Sequence, residues 1–204
     1  LMMGSPSTQG PTRSTPAGAF SSRAKRRKTE AMTVTDLAPA RLSTKSRMLL
    51  EAMRTIRIAD LAEMKRLGAR LASVLRKGDV VLLCGDLGAG KTELARAIVR
   101  ARMAMETEVP SPTFTLLQTY DAPDLLLTHA DLYRLERLEE LAELGFDEAI
   151  ESGAVLVEWP ERANGLWPSS RLEIALSIEG AGPARIATLG GLGDWAERIQ
   201  KAIG

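Results

Sequence analysis

The chain is 204 residues long and 45% hydrophobic, enough for one or two domains with an ordinary core. Its 27 Lys and Arg against 26 Asp and Glu nearly cancel, but residues 1–55 carry ten basic and three acidic groups (net +7) and residues 56–204 seventeen and twenty-three (net −6). The mildly acidic second part argues against a module that grips nucleic acid through a broad basic face. One cysteine (Cys84) and one histidine (His129) exclude an internal disulfide framework and a cysteine-ligated zinc site, and leave little scope for histidine-based metal centres. No apolar run approaches the roughly 20 residues that span a bilayer. A cytoplasmic protein with no membrane partner is expected.

Residues 1–55 read as a basic, disordered N-terminal extension. They are rich in Ser, Thr, Pro, Gly and Ala, and contain the run Lys25-Arg26-Arg27-Lys28. Too little apolar surface is available there to offset chain entropy. A solvated tail is the plain reading. The same composition is also that of an organelle transit peptide, and the basic run suits a nuclear signal. The chain opens on Leu1, and Met32, Met48 and Met53 offer later starts.

From Ile56 to Gly204 the pattern is that of a single folded α/β domain. Asp60 followed by Glu63 resembles a helix cap, and Leu61, Met64, Leu67, Leu71 and Leu75 then recur at helical spacing to about Arg76. Gly78 ends that helix, and Val80–Leu83 reads as a buried strand. After a glycine-rich turn, Leu94, Ile98, Val99 and Met103 mark a second helix. Residues 125–128 and 154–157 are further buried strands, with one acidic helix predicted between them over 138–150. Residues 171–178 alternate, 185–189 alternate less clearly, and a helix over 194–203 closes the chain. The fold class expected is one P-loop-like α/β domain, with a mainly parallel central sheet and antiparallel edge strands.

The most informative stretch is Gly85-Asp86-Leu87-Gly88-Ala89-Gly90-Lys91-Thr92, a full match to G-x-x-x-x-G-K-[ST] between a strand and a helix. Small residues at Gly88, Ala89 and Gly90 let successive backbone N–H groups curl around phosphate oxygens, and the next helix points its positive end at the same anion. In such a loop Lys91 reaches the β- and γ-phosphates and the Thr92 hydroxyl coordinates Mg²⁺. A second carboxylate for magnesium is expected at the end of another buried strand. Asp131 and Glu158 both qualify, and spacing does not separate them from ordinary surface carboxylates. His129 reads as a structural histidine rather than a base, Trp159 as core or a packed rim, and Cys84 as an inert thiol. The only asparagine is Asn164, and neither N-K-x-D nor D-x-x-G occurs, so ATP is favoured over GTP.

Four segments in order carry a family resemblance: Gly85–Thr92, then Val109-Pro110-Ser111-Pro112-Thr113-Phe114-Thr115-Leu116, then His129-Ala130-Asp131-Leu132-Tyr133-Arg134-Leu135, then Leu156-Val157-Glu158-Trp159-Pro160-Glu161. Together with Glu140-Leu141-x-x-Leu144-Gly145, they resemble the motifs of the TsaE (YjeE) family of bacterial P-loop ATPases from about Ile56 onward. The resemblance implies a weak, Mg²⁺-dependent ATPase acting in tRNA modification. Its members help to form N6-threonylcarbamoyladenosine beside the anticodon of tRNAs that read codons beginning with A. It implies docking to a heterodimer of the threonylcarbamoyl-transferring subunit and its paralogue (TsaD and TsaB), which the ATPase resets, so that tRNA is met only indirectly.

Residue by residue, the resemblance implies that Gly85, Gly88, Ala89, Gly90, Lys91 and Thr92 hold the triphosphate. Thr92, Asp131 and Glu158 would serve the metal, and Lys91, Asp131 and Glu158 the catalysis. Thr113 falls in a loop resembling a γ-phosphate switch, stiffened by Pro110 and Pro112, and Trp159 matches a tryptophan beside the nucleotide. The Ile56–Asp60 segment aligns with a strand ending near the adenine. Glu93 departs from the pattern, which usually has a small residue there. Its N–H can still face the α-phosphate, and a first-turn carboxylate suits the helix dipole, but it is awkward beside phosphates unless it points away. Two rivals remain: a small-molecule kinase and a nucleotide-gated binding module. A kinase usually closes an arginine-bearing lid, and Arg96, Arg100, Arg102, Arg134 and Arg137 form no obvious cluster. No arginine finger stands out, and the acidic stretch 138–151 is either a solvated face or a docking face.

Overall fold

The computed structural model describes residues 53–104, 108–163 and 165–203. Residues 1–52, and with them the expectations for the extension, lie outside that range. Strand β1 (Met53–Ile58) begins ahead of the Ile56 boundary because its whole length finds a partner strand near the C-terminus, Met53 opposite Gly190 and Ile58 opposite Arg185. Helix α1 (Leu61–Val74) starts at Asp60, whose carboxylate accepts from the Glu63 N–H at 2.9 Å. Glu63 reaches back to accept from the Ala59 N–H at 2.6 Å, one residue before the usual capping-box donor. The helix ends ahead of the predicted Arg76, whose N–H instead donates to Asp79 at 2.6 Å and turns the chain into β2 (Val80–Cys84).

Helix α2 (Lys91–Met103) follows the glycine-rich loop. Strands β3 (Leu117–Ala122) and β4 (Leu125–Asp131) form a hairpin turning at Pro123-Asp124, and β3 is an element the sequence reading did not anticipate. The single helix predicted over 138–150 is two short ones, α3 (Glu139–Glu143) and α4 (Phe146–Ser152). Gly145 at φ +71 separates them, a left-handed conformation that stops one helix and opens the next. Strand β5 (Ala154–Glu158), a 3₁₀ turn (Pro160–Ala163), β6 (Arg171–Ile178), β7 (Arg185–Leu192) and α5 (Trp195–Ile203) complete the chain.

The seven strands form one sheet in the order β1-β7-β6-β2-β5-β4-β3. The centre, β6-β2-β5-β4, is parallel, and β7, β1 and β3 join antiparallel, so the fold is the expected mixed α/β sheet. Helices α1, α2 and α5 cover one face, where Val81, Leu83, Leu127 and Leu156 meet Leu71, Leu94, Ile98 and Ile199. On the other face Val80, Leu82, Val155 and Val157 pack under Leu141 and Phe146. Successive residues of β2 and β5 thus enter opposite cores, which is why both strands read as unbroken apolar runs.

Helix α5 is fixed by a buried ion pair. Arg198 donates from Nη1 and Nη2 to the two oxygens of Asp79 at 2.8 and 2.5 Å, and from Nη2 to the Val74 carbonyl. Its guanidinium also lies 3.8 Å from the Trp195 ring centroid. Among the described residues no helix is long and apolar enough to cross a membrane.

Two features of this packing are testable. Helices α1 and α2 cross at Gly68, where an added Cβ would stand 2.5 Å from the Ala97 Cβ and 2.8 Å from its carbonyl carbon. The helix-propensity gain of Gly68→Ala, about 1 kcal/mol, is outweighed by overpacking of about 1–3 kcal/mol. Urea unfolding of Gly68→Ala is expected to show net destabilisation that Ala97→Gly does not fully relieve, because the backbone of Ala97 still crowds the added Cβ. At the end of β2, burial pushes the Cys84 thiol up to about 11, with the Glu161 and Glu173 carboxylates adding to the effect. Alkylation of Cys84 by iodoacetamide at pH 8 is expected to run about a hundredfold slower than for an unperturbed thiol, with the difference vanishing in urea.

Candidate functional site

Strands β2, β5 and β4 lie side by side and parallel, so their carboxyl ends reach one edge of the sheet together. There Asp131 and Glu158 are direct register partners, and the glycine-rich loop leaves β2 beside them. This edge is where ligands enter open α/β sheets. A cleft of about 430 Å³ lies over it, lined by Lys91, Thr92, Ser111, Thr113, Asp131 and Glu158 among others. Of the site residues expected from the sequence, Gly88, Gly90, Lys91, Thr92, Glu93, Thr113, Asp131, Glu158 and Trp159 line it, and Gly85 and Ala89 do not.

The loop owes its course to two glycines. Gly85 sits at φ +132, and a Cβ there would come within 2.2 Å of the Leu176 carbonyl oxygen of β6. Gly90 takes φ +106 at the start of α2. From outside, Arg185 of β7 donates to the Ala89 carbonyl at 3.1 Å and the Gly88 carbonyl at 3.2 Å. Those carbonyls are thereby committed to the protein side of the loop. Sequence reasoning missed Arg185, since nothing local connects it to a loop 96 residues earlier.

Lys91 is almost wholly buried, 4% exposed. Its ammonium donates to the Gly85 and Asp86 carbonyls at 2.5 and 2.9 Å, and sits 3.6 Å from the centroid of the Trp159 ring. Burial lowers its pKa, opposed by Glu158, Glu161, Asp131 and Asp86. Trp159 adopts φ +57, a left-handed conformation costing about 1–3 kcal/mol in a bulky residue and found mostly at functional sites. The ring also packs on Tyr133, with centroids 5.0 Å apart.

Glu158 is 2% exposed and both its oxygens are used. Oε2 accepts from the Thr92 hydroxyl at 2.8 Å, and Oε1 lies 2.8 Å from Nε2 of His129. His129 is fully buried, so the reading of it as a structural histidine meets a more specific fact: it orients a carboxylate of the cleft. Asp131 accepts at Oδ2 from Thr113 (2.8 Å) and Ser111 (3.1 Å), and at Oδ1 from the Tyr133 N–H (3.1 Å). The Ser-Pro-Thr loop is therefore latched to the end of β4. Ser111, which the sequence pattern does not distinguish from its neighbours, takes its role from this bond. Glu93 does not stand alone: Arg96 bonds it at 2.7 Å. Of the five arginines considered for a lid, only Arg96 lines the cleft; Arg102 pairs with Asp124, Arg134 stacks on Phe114 and Arg137 pairs with Glu140.

Among the described residues no group of three or more His, Cys, Asp or Glu forms a metal cage. Magnesium in a phosphate site takes one or two carboxylates and draws its other oxygens from a hydroxyl, phosphates and water. The Thr92 hydroxyl held against Glu158, with Asp131 adjacent in register, is a donor set of that kind.

Residues 58–186 match the family model described as threonylcarbamoyl adenosine biosynthesis protein TsaE. The chain is 44% identical over 116 residues to a protein of that name from Rickettsia felis, covering 57% of this chain and 68% of the relative. It is 37% identical over 142 residues to the one from Streptomyces coelicolor, covering 65% of this chain and 94% of the relative. Among solved structures, YdiB of Bacillus subtilis superposes with a TM-score of 0.62 at 28% identity, over 74% of this chain and 93% of that one. The match takes in the glycine-rich loop, the Ser-Pro-Thr loop and both strand-end carboxylates, and on it the chain belongs to the TsaE family.

Proposed function

We propose that this protein is a Mg²⁺-dependent ATPase that serves the formation of N6-threonylcarbamoyladenosine in tRNA. The observation that carries the reading is the meeting of Lys91 and Thr92 with Asp131 and Glu158 around one cleft, within a chain of the TsaE family. Backbone N–H groups of Gly88, Ala89 and Gly90 cradle the triphosphate, with Gly85 setting the loop's start. Glu93 contributes its backbone N–H at the first turn of α2. Lys91 exchanges its bonds to the loop carbonyls for bonds to phosphate oxygens, and Trp159 forms the wall that keeps its ammonium in place meanwhile.

Thr92, Asp131 and Glu158 are the residues that would hold the magnesium ion. Bound there, the ion neutralises charge on the phosphate oxygens. Glu158 fixes the Thr92 hydroxyl and is itself fixed by His129. Thr113, bonded to Asp131, is placed to exchange that bond for one to a γ-phosphate. Phosphoryl transfer to water asks mainly for positioning and charge stabilisation, which these groups supply in part. The partner we propose is the TsaD–TsaB heterodimer, whose transferase cycle the ATPase resets, with tRNA met only through that complex. A cytoplasmic site of action follows from this role. The kinase alternative would need a lid for which the cleft offers only Arg96.

The direct test is ATP hydrolysis by the full chain with magnesium, alone and with the heterodimer and tRNA. Stimulation by the partners is expected. Lys91→Ala should cut turnover on the order of 10²-fold, the scale for loss of one preorganised charge donor. Unchanged affinity and turnover in that variant would overturn the site assignment. Asp131→Asn separates turnover from docking: it should bind MgATP yet neither cleave it nor support modification. Full modification activity in that variant would favour simple nucleotide gating.

A further inference from the structure

The cleft carries more negative charge than a polyphosphate site tolerates unaided. Glu93, Asp131 and Glu158 all line it, against Lys91 and Arg96. Asp131 and Glu158 are bonded by hydroxyls, a backbone N–H and an imidazole. Glu93 is the one with a guanidinium partner: Arg96 Nη1 donates to its Oε2 at 2.7 Å, with the two side chains 26% and 31% exposed. As an i,i+3 pair on a helix surface this contact alone would be worth little. Two facts set it apart. Both residues face the cleft, and the same guanidinium turns its Nε to the Val109 carbonyl at 2.7 Å. Val109 is buried and begins the segment that carries Ser111 and Thr113 to Asp131.

We propose that Arg96 is a positioning residue that sets the triphosphate affinity of this site. It cancels the Glu93 carboxylate and, with the other edge of the same guanidinium, holds the Val109–Thr113 loop against the phosphate-binding helix. The proposal rests on the nucleotide reading above. Physically, Arg96 is what allows a carboxylate to follow Thr92 in a phosphate loop. With the guanidinium engaged, the acid's charge is spent within the helix. With it removed, a half-buried negative charge faces incoming phosphates, and unit charges that close near a protein surface move an equilibrium by about tenfold or more.

The experiment is MgATP titration calorimetry on the full unaltered chain, Glu93→Gln, Arg96→Gln, Arg96→Lys and the Glu93→Gln/Arg96→Gln double variant. Steady-state hydrolysis and thermal melts are run on each. Arg96→Gln is expected to weaken MgATP binding about tenfold. Glu93→Gln should tighten binding, because it leaves Arg96 as uncompensated positive charge at the cleft. The double variant should regain most of the lost affinity but not the turnover, since the loop has lost its tether. Arg96→Lys should keep the affinity and lose turnover, because an ammonium cannot present two guanidinium edges at once.

Binding by Arg96→Gln within about twofold of the unaltered protein would overturn the proposal, being no more than an exposed pair is worth. So would a double variant that binds no better than Arg96→Gln. Recovery of turnover in the double variant would overturn the loop-holding half. If Arg96→Gln fails to fold, Glu93→Gln decides, and weaker binding in that variant overturns the charge argument. Failure of the nucleotide reading would show separately, as absence of MgATP binding by the unaltered chain.

Discussion

Much of this structure depends on one buried carboxylate. Glu158 ends a strand packed on both faces, and a charge taken so far from water survives only with its hydrogen bonds filled. The fold fills them from two directions. The imidazole of His129 comes from β4, and the hydroxyl of Thr92 from the first turn of α2. Those contacts fix the start of the phosphate-binding helix against the middle of the sheet, and they hold only while β4, β5 and β2 keep their register. The close approach of α1 and α2 at Gly68 and Ala97 supports the same helix from its other side. Core packing and site geometry are here one constraint seen from two sides.

The region around Glu158 concentrates conformational cost. Trp159 takes a left-handed backbone directly after the buried acid, and Leu116 does the same at φ +61 where the Ser-Pro-Thr loop enters β3. Neither residue type adopts that conformation cheaply. Trp159 lines the cleft, Leu116 is bonded to Asp131 behind it, and each is held by what surrounds it. Trp159 is packed between Lys91 and Tyr133, while Leu116 donates its N–H to the Pro112 carbonyl and accepts from the Asp131 N–H. Strain kept beside a binding cleft by such contacts is the usual mark of a preorganised site.

Local signals in the sequence went far. The strand, glycine loop and helix around Lys91 were legible because each needs particular residue types within a short span. The buried strands β2 and β5 showed as apolar runs for the same reason. Strand β3 did not, because it is an edge strand: of its six residues only Tyr120 and Ala122 are buried, and the polar remainder mimics a loop. The split between α3 and α4 was hidden because Leu138, Leu141 and Leu144 before Gly145, and Phe146, Ala149 and Ile150 after it, each recur at helical spacing, while the backbone of Gly145 breaks the helix between them. Within the site, spacing left Asp131 and Glu158 ambiguous, and the register that makes them neighbours is a long-range fact. Arg185 and His129 act through partners far away in sequence, and no periodicity points to them.

The pairing of Arg198 with Asp79 sets a limit on where this domain can be cut. The family match stops at residue 186, inside β7, and begins at residue 58, at the last residue of β1. A fragment trimmed to those limits would lose α5 and with it the guanidinium that neutralises Asp79, leaving that acid unpaired under α1 at the root of β2. It would also strip β7 of most of its length and leave β6 as a raw sheet edge, open to pairing with other chains. The limits of the family match and the limits of the packed structure differ in this protein, and the second are wider.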